Sequence, residues 1–118
     1  MTKVIYTSYF AKAGTNPANV AITVRPPMFA ANMAHCKELA PSWTLVNAFK
    51  TGQINEEQYK VRYLEILRRK KIRPEDVVAS LPDGAILLCY EKTGVFCHRH
   101  IAAEWLRQAP DVEVKELE

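Results

Sequence analysis

The chain has 118 residues, of which 48% are hydrophobic and 25% are charged, and its formal net charge is +3. This composition excludes a disordered chain, and the length suits one domain that buries its own core. We therefore expect a single compact domain over residues 1–118, with too little positive charge to indicate a nucleic-acid-binding protein by itself.

The cysteines and the apolar segments indicate the cellular compartment of the protein. Three cysteines without framework spacing predict free thiols in a reducing compartment, and no disulfide. The N-terminus lacks a basic region followed by a long apolar segment, and the longest apolar run, residues 85–90, is far too short to span a bilayer. We expect a cytoplasmic protein with no membrane partner.

The first half of the chain predicts two short strands, an ambiguous segment and a helix. Residues 4–7 form a β-branched and aromatic run, and residues 20–24 form a second one that stops before Pro26, because proline cannot continue a central ladder. Residues 29–39 contain helix-forming alanines and methionines but no clear helical pattern. A short amphipathic helix is predicted from Ser42, as its N-cap, to Gly52.

Two further helices and the central strand are predicted next. Asn55 with Gln58 three residues later forms a capping box, and Pro74 suits the first turn of a helix. The continuous apolar run at residues 85–90 is typical of a strand covered on both faces.

A helix carrying Trp105 and an alternating edge strand at residues 112–117 complete the chain. Strands separated by helical segments indicate an α/β domain with a small, mostly parallel sheet flanked by helices.

Reactive side chains follow three of the predicted strands. Thr7 and Ser8 end the first, Arg25 ends the second, and Glu91 and Lys92 follow the third. Ligands of parallel sheets bind where the carboxyl ends of the strands converge. We therefore expect Glu91 to act as an orienting or basic carboxylate and the other four residues to bind substrate.

Cys97, His98 and Arg99 occupy the start of the last helix, where unpaired N–H groups and the helix dipole favour anions. The predicted roles are a nucleophile or anion-site thiol for Cys97, an acid or base for His98, and, with Arg25, an anion clamp for Arg99. These roles predict an enzyme that acts on a phosphorylated or nucleotide-like small molecule and uses no cofactor.

Two alternative functions have some support in the sequence. The basic run from Arg68 to Arg73 fits a non-enzymatic module that binds nucleic acid or protein, although a solvated helix face is the more ordinary interpretation. Cys89, Cys97 and the nearby histidines fit a zinc or redox-active thiol protein. Their spacing matches no standard zinc finger, so no metal site is assigned, and Cys89 alone favours core packing.

Four segments resemble a known family. They are Tyr6-Thr7-Ser8-Tyr9-Phe10, Leu39-Ala40-Pro41-Ser42, Leu87-Leu88-Cys89-Tyr90-Glu91-Lys92, and Phe96-Cys97-His98-Arg99-His100 with Ala103-Glu104-Trp105-Leu106. Through them the chain resembles, nearly end to end, the family catalogued as "domain of unknown function, number 488".

The resemblance implies a compact α/β domain with the Cys-His-Arg segment at its active site, and it implies no particular reaction. Many relatives carry Asp-Val-Arg at the end of a strand, where this chain has Thr23-Val24-Arg25. The resemblance therefore carries Arg25 over to this chain, but not an acidic role at position 23.

Overall fold

The computed structural model describes residues 2–13, 16–24, 33–90 and 96–117. Within those residues, the strands are β1 (Lys3–Tyr9), β2 (Asn19–Ala21), β3 (Ala34–His35), β4 (Ile86–Cys89) and β5 (Val112–Glu116). The helices are α1 (Phe10–Ala13), α2 (Trp43–Lys50), α3 (Glu56–Arg69), α4 (Pro74–Ser80) and α5 (His98–Leu106), with a 3-10 turn at Lys37–Leu39.

The five strands form one sheet in the order β3-β2-β4-β1-β5, and every neighbouring pair is parallel. The strand β4 lies at the centre, and all four of its residues are buried, as its uninterrupted apolar sequence predicts. The strand β5 lies at an edge, also as predicted. The α/β class with a parallel sheet flanked by helices is therefore confirmed.

Each face of the sheet has its own apolar cluster. Helices α2 to α5 pack on one face, where the larger cluster includes Leu87 of β4. Phe10 of α1 covers the other face, together with Ala21 and Leu88. Because successive side chains of a strand point to opposite faces, Leu87 and Cys89 share the face that carries α5.

Local signals place the helix ends where the sequence predicts them. The Ser42 hydroxyl accepts a hydrogen bond from the Leu45 amide at 3.1 Å, and Gly52 adopts a φ of 78° just beyond α2. Asn55 and Gln58 form the predicted capping box, with bonds of 2.8 and 2.9 Å. Pro74 occupies the first turn of α4.

Two segments differ from their predictions. The second strand ends at Ala21 rather than at residue 24, although the Ile22 amide still donates to the Leu88 carbonyl at 3.1 Å. The described part of residues 29–39 forms β3 and the 3-10 turn, because residues 34 and 35 pair with β2. No helix of the described residues is long and apolar enough to cross a membrane.

Candidate functional site

The parallel sheet brings the start of α5 next to the ends of β2 and β4. Cys97 is the N-cap residue of α5 and caps it with no side-chain hydrogen bond, so its sulfur is available for other contacts. Cys89 is the last residue of β4, and Ile22 directly follows β2. All three positions lie at the carboxyl edge of the sheet, where parallel α/β domains bind ligands.

Cys89 and Cys97 are joined by a disulfide, with their Cα atoms 7.0 Å apart. The prediction of free thiols is therefore wrong for this pair and correct for the buried Cys36. The spacing of the cysteines alone does not predict this disulfide. Cys89 ends β4 and Cys97 begins α5, and the three-dimensional fold brings these two ends together. Cys89 is fully buried, as packing predicts, but its sulfur also bonds to Cys97 beside His98.

His98 is buried and has a fixed orientation. Its Nε2 lies 2.6 Å from the Ile22 carbonyl oxygen, which only accepts hydrogen bonds, so Nε2 carries the proton and donates. The unprotonated Nδ1 then lies 3.9 Å from Cys97 Sγ. Burial lowers the pKa of His98 to about 4, although the Ile22 bond opposes the shift; the Arg99 charge adds to it.

Arg99 is completely buried, and its guanidinium bonds to groups of this chain. Nη2 and Nε donate to the two carboxylate oxygens of Glu116 at 2.8 and 3.1 Å, and Nη1 lies 3.1 Å from Cys89 Sγ. The same carboxylate accepts a 2.6 Å bond from the Thr7 hydroxyl. Arg99 thus links β4, β5 and α5, and its fork-shaped pairing with Glu116 fixes the first turn of the helix.

A cavity of about 600 Å³, called the large cavity below, opens beside this cluster. Cys89, Cys97 and His98 line it, and Lys50 contributes a positive charge. Its aromatic lining residues are Trp43, Phe49, Tyr59, Tyr90 and Phe96. The volume lies in the usual range for small-molecule sites, and apolar walls with a few polar groups are typical of such sites.

Thr23 supplies an unusual polar group to the large cavity. The residue is only 5% exposed, and its hydroxyl oxygen has no hydrogen-bond partner within the described parts of the chain. A buried hydroxyl without a partner costs free energy. The Thr23 hydroxyl therefore lies beside the cavity as a buried polar group whose hydrogen-bonding capacity the described residues leave unused.

The predicted substrate-binding residues do not all meet. Thr7 lines a second cavity of about 360 Å³, together with Glu116 and His100. Ser8 points to the opposite face of β1, where it is fully buried. Arg25, Glu91 and Lys92 lie outside the described residues.

Sequence reasoning missed the aromatic walls and Glu116. The walls come from α2, α3 and the segments beside β4 and α5, so no local pattern joins them. Glu116 left a detectable signal: it follows Val112 and Val114 at every second position of β5, which puts a carboxylate on the inward face of an edge strand.

The basic run is largely paired within the chain. Arg68 and Arg69 bond to Glu65, and Arg73 bonds to Glu75. The Lys70 ammonium donates to three backbone carbonyls around the 3-10 turn, at 3.1 to 3.2 Å. These contacts agree with a helix end whose charges complement its dipole, and none of them favours a nucleic-acid surface.

One of three comparisons with known proteins places the chain in a family. A search of curated proteins and a search of solved structures each found no match. The family model described as the "Active DUF488-N3 subclade" matches residues 18–110. That match contains most of the segments that carry the resemblance to domain of unknown function 488, including the Cys-His-Arg start of α5. This chain therefore belongs to the DUF488 family, in the subclade DUF488-N3a.

Proposed function

We propose that the chain is a thiol enzyme that acts on a small nucleotide-like substrate bound in the large cavity. Cys97 is the nucleophile, and His98 is the acid or base. The observation that carries this proposal is the position of Cys97 and His98, which share the wall of a cavity lined with five aromatic side chains. The description of the subclade as active also supports an enzyme.

The lining favours a ligand that combines a flat ring with an anionic group. Phe49, Tyr59 and Phe96 contact one another, with ring centroids 4.8 to 5.5 Å apart, and Trp43 is 53% exposed. A nucleobase stacks well on such rings. Lys50 supplies a charge for a phosphate.

The chemistry requires the reduced form, because neither sulfur of a disulfide attacks as a thiolate. Once reduced, Cys97 lies at the N-terminus of a nine-residue helix, whose dipole stabilises a thiolate. The imidazole Nδ1 beside it is unprotonated and is placed to accept a hydrogen bond from the Cys97 thiol. The bond from Nε2 to the Ile22 carbonyl keeps the imidazole in the tautomer that leaves Nδ1 unprotonated.

Arg99 is a positioning residue in this proposal, since its guanidinium is bonded to Glu116 and to the sulfur of Cys89. Arg25 and Lys92 retain their expected roles as anion-binding residues, and Glu91 as a carboxylate that orients or accepts a proton. Thr7 and Ser8 are not assigned to this cavity.

Alkylation of the reduced protein tests the proposal. The protein is treated with a phosphine reductant and then with limiting iodoacetamide, and mass spectrometry follows modification of each cysteine. We expect Cys97 to react much faster than Cys36, because burial raises the pKa of Cys36 to about 11. Adenosine monophosphate should slow the reaction at Cys97, whereas inorganic phosphate alone should not.

Two variants serve as controls. Trp43→Ala should weaken the protection by adenosine monophosphate, while Cys36→Ser should leave both the Cys97 rate and its protection unchanged. Equal alkylation rates at Cys97 and Cys36 would contradict the role of Cys97 as nucleophile. An alkylation rate of Cys97 that adenosine monophosphate does not change would contradict a nucleotide-like substrate.

A further inference from the structure

We propose that the reduced protein binds one Zn²⁺ ion through Cys89 Sγ, Cys97 Sγ and His98 Nδ1. These three residues each offer a ligand atom, and all three atoms lie within 4.8 Å of one another. Thiolates and a neutral imidazole are the ligands that zinc prefers in proteins. The inference does not rest on the proposed function, because it follows from the positions of the three side chains.

The distances suit a tetrahedral ion. Neighbouring ligand atoms on such a zinc lie roughly 3.5–3.8 Å apart, given the usual Zn–S and Zn–N bond lengths. Cys97 Sγ and His98 Nδ1 are already separated by 3.9 Å. Reduction frees the two sulfurs to move apart to the same spacing by rotation of their side chains.

Hydrogen bonds from neighbouring groups hold the ligand side chains in the way that is usual around a metal site. The Ile22 carbonyl accepts the proton-bearing Nε2 of His98 at 2.6 Å, which leaves Nδ1 as the ligand nitrogen. A hydrogen bond from the second imidazole nitrogen to a carbonyl is a recurrent support of zinc-bound histidine. Arg99 Nη1 lies 3.1 Å from Cys89 Sγ and stabilises it as a thiolate.

The charges of the cluster also balance. Two thiolates neutralise a divalent cation, and among the described residues Glu116 pairs with the Arg99 guanidinium. The charges of these described groups therefore compensate one another with zinc bound, which reduces the cost of holding an ion away from water.

The site leaves one coordination position open toward the large cavity, because all three ligand residues line that cavity. Three protein ligands with a fourth position for water or substrate are the pattern of catalytic rather than structural zinc sites. The bound ion engages the Cys97 sulfur, so zinc binding and alkylation of Cys97 exclude each other.

Zinc binding also excludes the disulfide. Opening the disulfide takes two electrons and two protons, which two small thiol molecules supply as they join in a disulfide of their own. Zinc then replaces the two thiol protons, which pass to solvent. The ion is thus bound by the reduced protein and released when the pair is oxidised.

Cobalt substitution tests this site with a spectroscopic signal. Phosphine-reduced protein is titrated with Co²⁺, and we expect one equivalent to give sulfur-to-cobalt charge-transfer absorption and the visible bands of a tetrahedral ion. Added Zn²⁺ should abolish both signals by displacement. The same protein with its disulfide intact should give neither, which requires no substitution and so does not depend on the folding of a variant.

Two substitutions test ligands and a third serves as the control, with circular dichroism as a check of folding. Cys97→Ser and His98→Ala should each lose the tetrahedral signal, whereas the matched control Cys36→Ser should keep it. Cobalt binding without a charge-transfer band, equal binding by the oxidised protein, or loss of the signal in Cys36→Ser would overturn the site. Failure of nucleotide protection alongside a normal cobalt signal would contradict only the proposed function.

Discussion

At the scale of single residues, the Arg99–Glu116 pair controls how α5 is anchored to the sheet. The guanidinium is completely buried, and the carboxylate side chain is 24% exposed. Removing one member of a buried ion pair takes away the compensation that it gives the other charge, which destabilises proteins far more than losing a surface pair does.

Glu116→Ala should therefore lower the free energy of unfolding by about 3 kcal/mol. The matched control is Glu113→Ala, which removes an exposed carboxylate paired with Lys115 on the same strand and should change stability by about 0.5 kcal/mol or less. Urea unfolding measures both. Similar effects of the two substitutions would show that the Glu116 carboxylate does not compensate a buried charge.

His98 makes stability depend on pH. Its pKa lies at about 4 in the folded protein, against an ordinary value of 6.5, so the unfolded chain takes up a proton that the folded chain excludes. The contribution is complete above pH 6.5 and is lost as the pH falls toward about 4. The loss should approach about 3 kcal/mol.

The effect of His98 is isolated by comparison with His98→Gln, with a chelator present and the disulfide intact. Other groups titrate in both proteins, so the difference between the two curves reports His98. The gap in stability between the proteins should shrink as the solution is acidified. A difference in stability between the two proteins that stays constant from pH 6.5 to about 4 would show that folding does not change the pKa of His98.

At the scale of elements, local sequence signals determine several boundaries. The capping box at the start of α3 is predictable because Asn55 and Gln58 satisfy each other's backbone amides within one turn. The strand β3 is not predictable in this way: it has two residues, and only pairing with β2 makes it a strand.

Asn55→Ala should destabilise the protein by about 1 kcal/mol, because it removes the side-chain acceptor for the Gln58 amide. Gln53→Ala, an exposed polar substitution two positions earlier, is the control and should have little effect. Thermal unfolding compares the two. If both variants melt with the wild type, the cap does not contribute to stability.

The candidate site also has features that the sequence predicts and features that it does not. The position of Cys97, His98 and Arg99 at a helix start is visible in the sequence, because turn residues precede them and a helical pattern follows. Their partners are not visible: Glu116 and Ile22 are distant in the chain and reach α5 only through the order of the strands. The sequence thus predicts which reactive side chains form the site, but not the hydrogen bonds and ion pairs that fix their positions.

At the scale of the whole molecule, β4 holds the two layers together. It lies at the centre of the sheet, and its side chains alternate between the two apolar clusters. The uninterrupted apolar run that encodes β4 also places Cys89 at its carboxyl end, so the strand that supports the core supports the site.

Leu87→Ala should lower the free energy of unfolding by about 2–5 kcal/mol, since Leu87 is fully buried and its loss leaves a cavity. Val61→Ala is the control on the exposed face of α3, where Val61 is 61% exposed, and it should be neutral or slightly stabilising. Denaturant unfolding gives both values. A Leu87→Ala loss below about 1 kcal/mol would contradict a central position for β4.

Binding of a nucleotide-like molecule in the large cavity beside Cys97 can be measured through the fluorescence of Trp43. Its indole lines the cavity and is half exposed, so a stacked base should quench its fluorescence. The reduced protein is titrated with adenosine monophosphate, with Trp43→Phe as the control. We expect saturable quenching in the wild type and none in the variant; unchanged wild-type fluorescence up to about 1 mM ligand would contradict nucleotide binding in the large cavity.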